Sequence, residues 1–490
     1  MVPWLSTRWT EALAAAAAGL AAAIVAVVGG PPFDVPVGFD VALWADGALD
    51  ARWGQPVLVP SLYPRLCALV PGVGIGESGR VLGTVAVTVL PPCCWWIARR
   101  LGASATAAVL AAWFVALSPD LVASGAMFGP DALAALVYTL WLGAVLGLDA
   151  VLPLALTTAL ALASREPALP LAPILALVLG WRGRRRAAAG VLLGLGLSAF
   201  AGLAVPTSWV EAFPAVHKFA PVLSDVVRGG SGEYLLDVTA AVWGPFPGAE
   251  SAVRAAYAAR AGDLGPAGRV SFNTLHGLVA HADLWAWAAL ALVGAWHRRE
   301  RWLLFTALLP LLGTLLAWSQ RRHFLPFFGV EAIALAWLFD RWPRARWALL
   351  AGALASGLVL PAALSWARAR AANDASVAEA GHAARAHSRW DDFVALAPGT
   401  RVDPVLLATA ERPVAPRGLL DGALRWRVVA VGASPGPGWE QVHPGVFVYE
   451  PAAEGRDCLR GTVAGVVGFG LVPGDNGQHS RVTPGDCAGS

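Results

Sequence analysis

The chain has 490 residues, 57% of them hydrophobic and only 14% charged, with a formal net charge of +3. A soluble protein of this length buries a large core without so apolar a composition, whereas here runs of roughly 17–25 apolar residues recur, each long enough for a ~30 Å hydrocarbon layer. Basic residues lie in short scattered clusters with a single lysine, Lys218, which argues against a nucleic-acid surface.

The first apolar run, 10–29, follows Arg8 and lacks a small-x-small cleavage site, so it reads as a retained helix and not as a signal peptide. Further spanning helices are predicted at 77–98, 103–118, 131–148, 150–164, 167–180, 187–205, 276–296, 302–318, 325–340 and 346–366, about eleven in all. The predicted class is therefore an all-α polytopic membrane protein. Arg8, Arg99–Arg100, Arg182 with Arg184–Arg186, Arg298–Arg301 and Arg341–Arg346 all fall on one side of this arrangement. Positive loops stay cytoplasmic. The N-terminus is then expected inside, in the inner (plasma) membrane, with loops 30–76 and 206–275 outside. The long loop 206–275 contains one predicted helix, at 248–262.

After residue 366 hydropathy drops, and Pro, Gly and charge increase. The stretches 425–432 (RWRVVAVG) and 445–451 (GVFVYEP) read as strands. Two domains are expected: a transmembrane part, 1–366, and a small extracytoplasmic α/β domain, 367–490. Cys458 and Cys487 lie in that tail, where an oxidising compartment favours a disulfide between them. Cys67, Cys93 and Cys94 lie in or near apolar segments and read as packing residues.

Candidate chemistry follows from the sidedness. In the stretch 38–54 (GFDVALWADGALDARWG), an interfacial helix would put Trp44 toward lipid and Asp46 and Asp50 on a solvated face. Asp40 stands at its start, either as an N-cap or as a working carboxylate. Asp131 follows Pro130 at a helix start, ordinary N-terminal chemistry that leaves a site role open. Arg165 and Glu166 adjoin at a membrane boundary, and an ion pair with each other is their simplest role. Arg321, Arg322 and His323 break the charge sorting by lying outside. They suit either an interfacial anchor or an anionic ligand, because guanidinium forks match phosphate oxygens. No zinc-type spacing, phosphate-cradling Gly loop or nucleophile elbow occurs.

The order of these pieces resembles a known family. The stretches FDVALWADGAL (39–49), SLYPRLCALVPG (61–72), ARRLGASATAAVLAAWFVALSPDLVASGAMFGPDALAAL (98–136), ASREPALPLAPILAL (163–177) and RRHFLPFFGVEAIALAWL (321–338) together look like the GT-C superfamily of integral membrane glycosyltransferases. The resemblance lies near its protein-mannosyltransferase and aminoarabinose-transferase branch and covers roughly 1–345. It implies a polyprenyl-phosphate-sugar donor, transfer on the external face, and inversion at the anomeric carbon. The acceptor, whether glycan, lipid or protein, stays open. By the family's spacing Asp40 matches the catalytic aspartate, with Val41 where many members carry Glu. Asp131 matches the second-loop acid, an acceptor or metal candidate, so a divalent metal stays open as a cofactor. Arg321 or Arg322 matches the donor-phosphate arginine, with His323 replacing the usual aromatic. Arg165 and Glu166 remain further candidates. A transporter or flippase, an inactive homologue, and a glycan- or partner-binding tail are the rival readings. Ionisable candidates placed in loops and not at mid-membrane favour the enzyme.

Overall fold

Alanine- and leucine-rich runs become helices throughout the computed structural model of the chain, and a small sheet forms in the tail. The structure describes residues 3–38, 41–52, 61–69, 74–165, 167–203, 281–296, 298, 301–316, 321–358, 360–388, 393–396, 404–412, 414–415, 428–435 and 438–449, with isolated positions between 265 and 278. Asp40, Glu166, the predicted helix 248–262, most of the loop 206–275, and Cys458 and Cys487 lie outside them.

The helices are α1 (Pro3–Gly29), α2 (Val41–Arg52), α3 (Leu62–Leu69), α4 (Ile75–Arg100), α5 (Ala105–Ala116), α6 (Pro119–Ala126), α7 (Asp131–Gly147), α8 (Val151–Ser164), α9 (Ala168–Trp181) and α10 (Arg185–Leu203). They continue as α11 (Ala282–Trp296), α12 (Arg301–Leu316), α13 (Phe328–Arg341), α14 (Ala345–Gly357), α15 (Leu360–His387) and α16 (Pro404–Ala410). In α1 the small residues Ala15, Ala18, Ala22 and Ala26 are buried at helical spacing, while Leu13, Leu20, Ile24 and Val28 are exposed. A stripe of small residues lets helix backbones approach closely, and the large apolar face is left for lipid.

By length and composition, α1 from Arg8 and α4 can each cross a bilayer, and α5 with α6, bent by 54°, is either a third, broken span or a re-entrant loop. The predicted runs at 131–148, 150–164, 167–180 and 276–296 appear as α7, α8, α9 and α11, apolar but only 14–17 residues long. At 1.5 Å per residue, 14 residues reach roughly 21 Å, short of a full hydrocarbon layer. Among the described residues two such spans, or three with the bent pair, are found, and the expected eleven are not reached on this measure.

The predicted helix 346–366 is instead two elements, α14 and the 28-residue α15, which runs well past residue 366 to His387. The alanine-rich stretch that carries α15 onward has strong helix propensity despite its charges. Beyond it, β1 (Phe393–Leu396), β2 (Val414–Ala415), β3 (Val428–Val431), β4 (Glu440–His443) and β5 (Val446–Tyr449) form one sheet in the order β2-β1-β3-β5-β4. The β1 strand pairs parallel with β2 and β3, and β5 pairs antiparallel with β3 and β4. The two predicted strands appear as β3 and β5. Cys67 and Cys94 are buried and Cys93 half-buried, all as free thiols, in keeping with packing roles.

The chain divides into two compact units, and the division differs from a cut at residue 366. The first holds 1–30, 83–126 and 130–366; the second holds 31–82, 127–129 and 367–490. The first extracytoplasmic loop of the sequence reading thus shares a compact unit with the tail.

Candidate active site

In the second unit the chain leading to Asp40 is fixed at several points. Arg80, fully buried, donates to the carbonyl oxygens of Pro31 and Pro32 and lies 4.1 Å from the centre of the Phe33 ring. The His382 ring hydrogen-bonds the Asp34 carbonyl at 2.9 Å. The Phe128 N–H donates to the Val37 carbonyl at 2.7 Å, and a Cβ at position 38 would collide with the Phe128 carbonyl. Gly38 is therefore required by close backbone approach.

Helix α2 begins at Val41, directly after Asp40. Its residues Val41, Trp44, Ala45, Ala48 and Leu49 are buried. This corrects the expectation that Trp44 faces lipid: it is 1% exposed and stands edge-on to Tyr63, ring centroids 6.0 Å apart. Tyr63 in turn packs on Phe128 at 5.6 Å. The reason is that α2 has protein partners on its apolar face, α3 and α16, so that face is consumed inside the unit. The side chains of Asp46 and Asp50 lie outside the described residues.

In the first unit two candidates far apart in sequence meet. The Arg165 guanidinium donates to the Asp131 carboxylate, and both side chains are less than a tenth exposed. Asp131 opens α7 behind Pro130, and Arg165 closes α8. Arg165 thus pairs with Asp131, a partner the sequence reading did not foresee; its neighbour Glu166 is outside the described residues. Tyr138, two turns along α7 from Asp131, donates from its hydroxyl to the Arg165 carbonyl at 3.2 Å. Below it, the Trp141 indole N–H donates to the Thr158 hydroxyl at 2.8 Å, locking α7 to α8.

The segment with Arg321, Arg322 and His323 folds as two 3₁₀ turns, Arg321–His323 and Leu325–Phe327, running into α13. Arg322 is buried and His323 half-buried, while the side chain of Arg321 is outside the described residues. Aromatic anchors hold the turns. Phe324 packs against Trp285 at 4.9 Å and His281 at 5.8 Å, and Phe328 stacks on Phe114 at 5.9 Å. Phe327 stands edge-on to Tyr138 at 5.7 Å. Tyr138 therefore touches both the Arg165 backbone and the arginine-bearing turns.

Among the described residues, no three of His, Cys, Asp and Glu gather as a metal site. Sequence reasoning missed Tyr138, Arg80 and Glu411, each of which has partners distant in the chain. It also passed over Glu331, the lone acid in the first turn of α13, 1% exposed, with a carboxylate oxygen that has no hydrogen bond. Its signal was visible, since a carboxylate amid so many apolar residues is a functional candidate by default.

No protein-family model matches the sequence, and neither does any curated protein. Among solved structures, the chain is similar to ArnT from Cupriavidus metallidurans bound to undecaprenyl phosphate, at 13% identity and a TM-score of 0.50, covering 92% of this chain and 99% of that one. It is also similar to the same protein in its apo state, at 15% identity and a TM-score of 0.42, covering 91% and 98%. The first likeness shows that the chain shares the fold of that protein along nearly its whole length.

Proposed function

We propose that this chain, on its GT-C fold, is a membrane glycosyltransferase that moves a sugar from a polyprenyl-phosphate donor to an acceptor on the extracytoplasmic face. The observation that carries this is the near-complete fold likeness to a protein solved with undecaprenyl phosphate. The ordered motifs, and the outward placement that charge sorting predicts for Arg321 and Arg322, agree with it. The same reading puts the protein in the inner (plasma) membrane with about eleven crossings, N-terminus inside and the tail outside. A Cys458–Cys487 bridge belongs to that placement.

In this mechanism the acceptor hydroxyl attacks the anomeric carbon, its oxygen–carbon bond forming as the bond to the lipid phosphate breaks, with inversion. Asp40 takes the hydroxyl proton as general base. The leaving phosphate keeps the bonding electron pair, and Arg321, Arg322 and His323 stabilise its added charge in a partly dehydrated site. We assign Asp131 to holding the Arg165 guanidinium, so that the pair offers a fixed dipole and not a free carboxylate. Asp131 remains the acceptor or metal candidate of the resemblance, and Glu166, which adjoins this pair in sequence, remains a further candidate with no assigned role.

The test compares envelope lipids and glycans of a deletion strain with those of the complemented strain by mass spectrometry, and measures undecaprenyl-phosphate binding by the purified protein. A glycan restored only by the active gene is expected, together with binding. Identical envelopes and no lipid binding would sink the proposal. A flippase reading draws on Glu331, a buried carboxyl in a helix of predicted membrane span. It requires transbilayer movement of the lipid with no glycosidic bond made, which the same mass spectra distinguish.

A further inference from the structure

Glu411 lies in the tail, outside every motif that pointed to function, yet it is 1% exposed. Three donors from three separate elements converge on its carboxylate. Arg52, in the last turn of α2, donates to Oε2. Arg385, near the end of α15, lies 2.9 Å from Oε1, and the Ile75 N–H at the start of α4 donates to the same oxygen at 2.7 Å. All four residues belong to the second compact unit. The approach is close enough that a Cβ on Gly74 would lie 3.1 Å from both the Arg385 guanidinium and the Glu411 carboxylate.

The backbone is also committed. Glu411 has φ +53°, the only non-glycine residue with positive φ among the described residues. The left-handed region is costly for a residue with a Cβ, and such conformations persist only where surroundings over-determine them. Here the over-determination is the three-donor carboxylate. Next to it, α16 packs directly on α2, with Val405, Leu406, Leu407 and Ala408 buried.

We infer that Glu411 is a positioning residue for the transfer reaction: from the tail it clamps the C-terminal end of α2, and so sets the placement of the helix that directly follows Asp40. This rests on the glycosyltransferase reading for its functional half. The tail is then an integral support of the first extracytoplasmic loop and not a detachable binding module. A rigid α2 transmits the constraint along its 12 residues, because a helix held at one end and packed on one face has little freedom at the other. A misplacement of about 1 Å in a reacting group can cost roughly 100-fold in rate.

The experiment uses the full-length protein in lipid nanodiscs, wild type beside Glu411→Gln and Glu411→Ala, with two readouts. Hydrogen exchange should show α2 amides losing at least ten-fold in protection while α7 amides hold, and transfer should lose roughly 10–100-fold in kcat with donor KM within two-fold. Unchanged α2 exchange overturns the clamp. Loosened α2 with wild-type kcat overturns the link to catalysis, as does a raised KM at normal kcat. If neither Glu411 variant folds, Arg52→Ala removes one of the three bonds and must move both readouts in the same direction. If the wild type itself transfers no sugar, the functional reading falls, while the exchange readout still judges the clamp.

Discussion

Asp131 in the first unit and Glu411 in the second are both carboxylates buried against arginine, and their local surroundings favour them in opposite ways. Asp131 opens α7, where the partial positive charge of the helix N-terminus favours an acid, and Arg165 closes α8, where a cation is favoured. Each partner sits where its own helix end wants its charge, and the ion pair joins two neighbouring helices. Glu411 follows the C-terminus of α16, where the helix field disfavours an acid, and its backbone is left-handed. Its carboxylate is held by donors from other elements, with Arg52 separated by 359 positions. A charge supported by its local helix tolerates a change of partner; one supported only at long range fails when any strand of that support is cut.

The largest expected effect lies in the second unit. Asp40→Asn retains size and much of any capping ability, because Asn caps about as well as Asp, yet it removes the proposed base. Transfer should fall by roughly 10²–10⁴-fold with donor binding unchanged. Near-normal transfer in a folded variant would return Asp40 to a cap and confine the second unit to a structural role. Asn at Asp46 and at Asp50 should cost less than about ten-fold, the scale of a lost surface interaction.

Next comes the first unit's ion pair. Asp131→Ala leaves a buried guanidinium without its carboxylate, which should cost about 3–5 kcal/mol in thermal or denaturant stability. The double variant Asp131→Leu, Arg165→Met removes both charges and should recover most of that stability, since apolar replacement of a buried pair is often neutral. If the double variant is as unstable as the single, the pair is doing more than neutralising itself, and the contrast with Glu411 collapses. If it is stable but inactive, the pair is functional.

A smaller effect is expected at the 3₁₀ turns. Charge-assisted hydrogen bonds contribute about 1.5–3 kcal/mol. Alanine at Arg321 and Arg322 should therefore weaken undecaprenyl-phosphate binding by roughly ten- to hundred-fold per lost bond, with the helices still inserted. Unchanged binding, read by native mass spectrometry, would remove both from the donor site.

The smallest signal concerns packing around α2. Burial pushes the Cys67 thiol up to about 12, against an opposing hydrogen bond with Tyr63. A raised pKa keeps the neutral thiol dominant from its ordinary value of 9.0 up toward that figure, so alkylation at pH 8 should spare Cys67 in folded protein and reach it after unfolding. Glu411→Ala should expose it if the clamp holds α2 and α3 together. Ready labelling in the wild type would contradict the burial of this corner.

Much of the fold was legible in the sequence because it is written in local terms. Apolar runs marked the helices at 131–148 and 150–164 to within a few residues of α7 and α8, and β-branched stretches marked β3 and β5. The ordered motifs pointed to the aminoarabinose-transferase branch, and the fold likeness to ArnT bears out that resemblance. What only the tertiary structure decided were the partners. Whether Trp44 met lipid or protein depended on α3 and α16, the latter more than 350 residues away. Arg165 had an acid beside it in sequence and found another across a helix pair, because helix ends, and not chain neighbours, set which side chains face each other. Glu411 carried no local signal: its left-handed backbone and its three donors exist only once α2, α4 and α15 are assembled. Periodicity records which face of an element is apolar, but the identity of what covers that face is a long-range fact, and no window of sequence contains it.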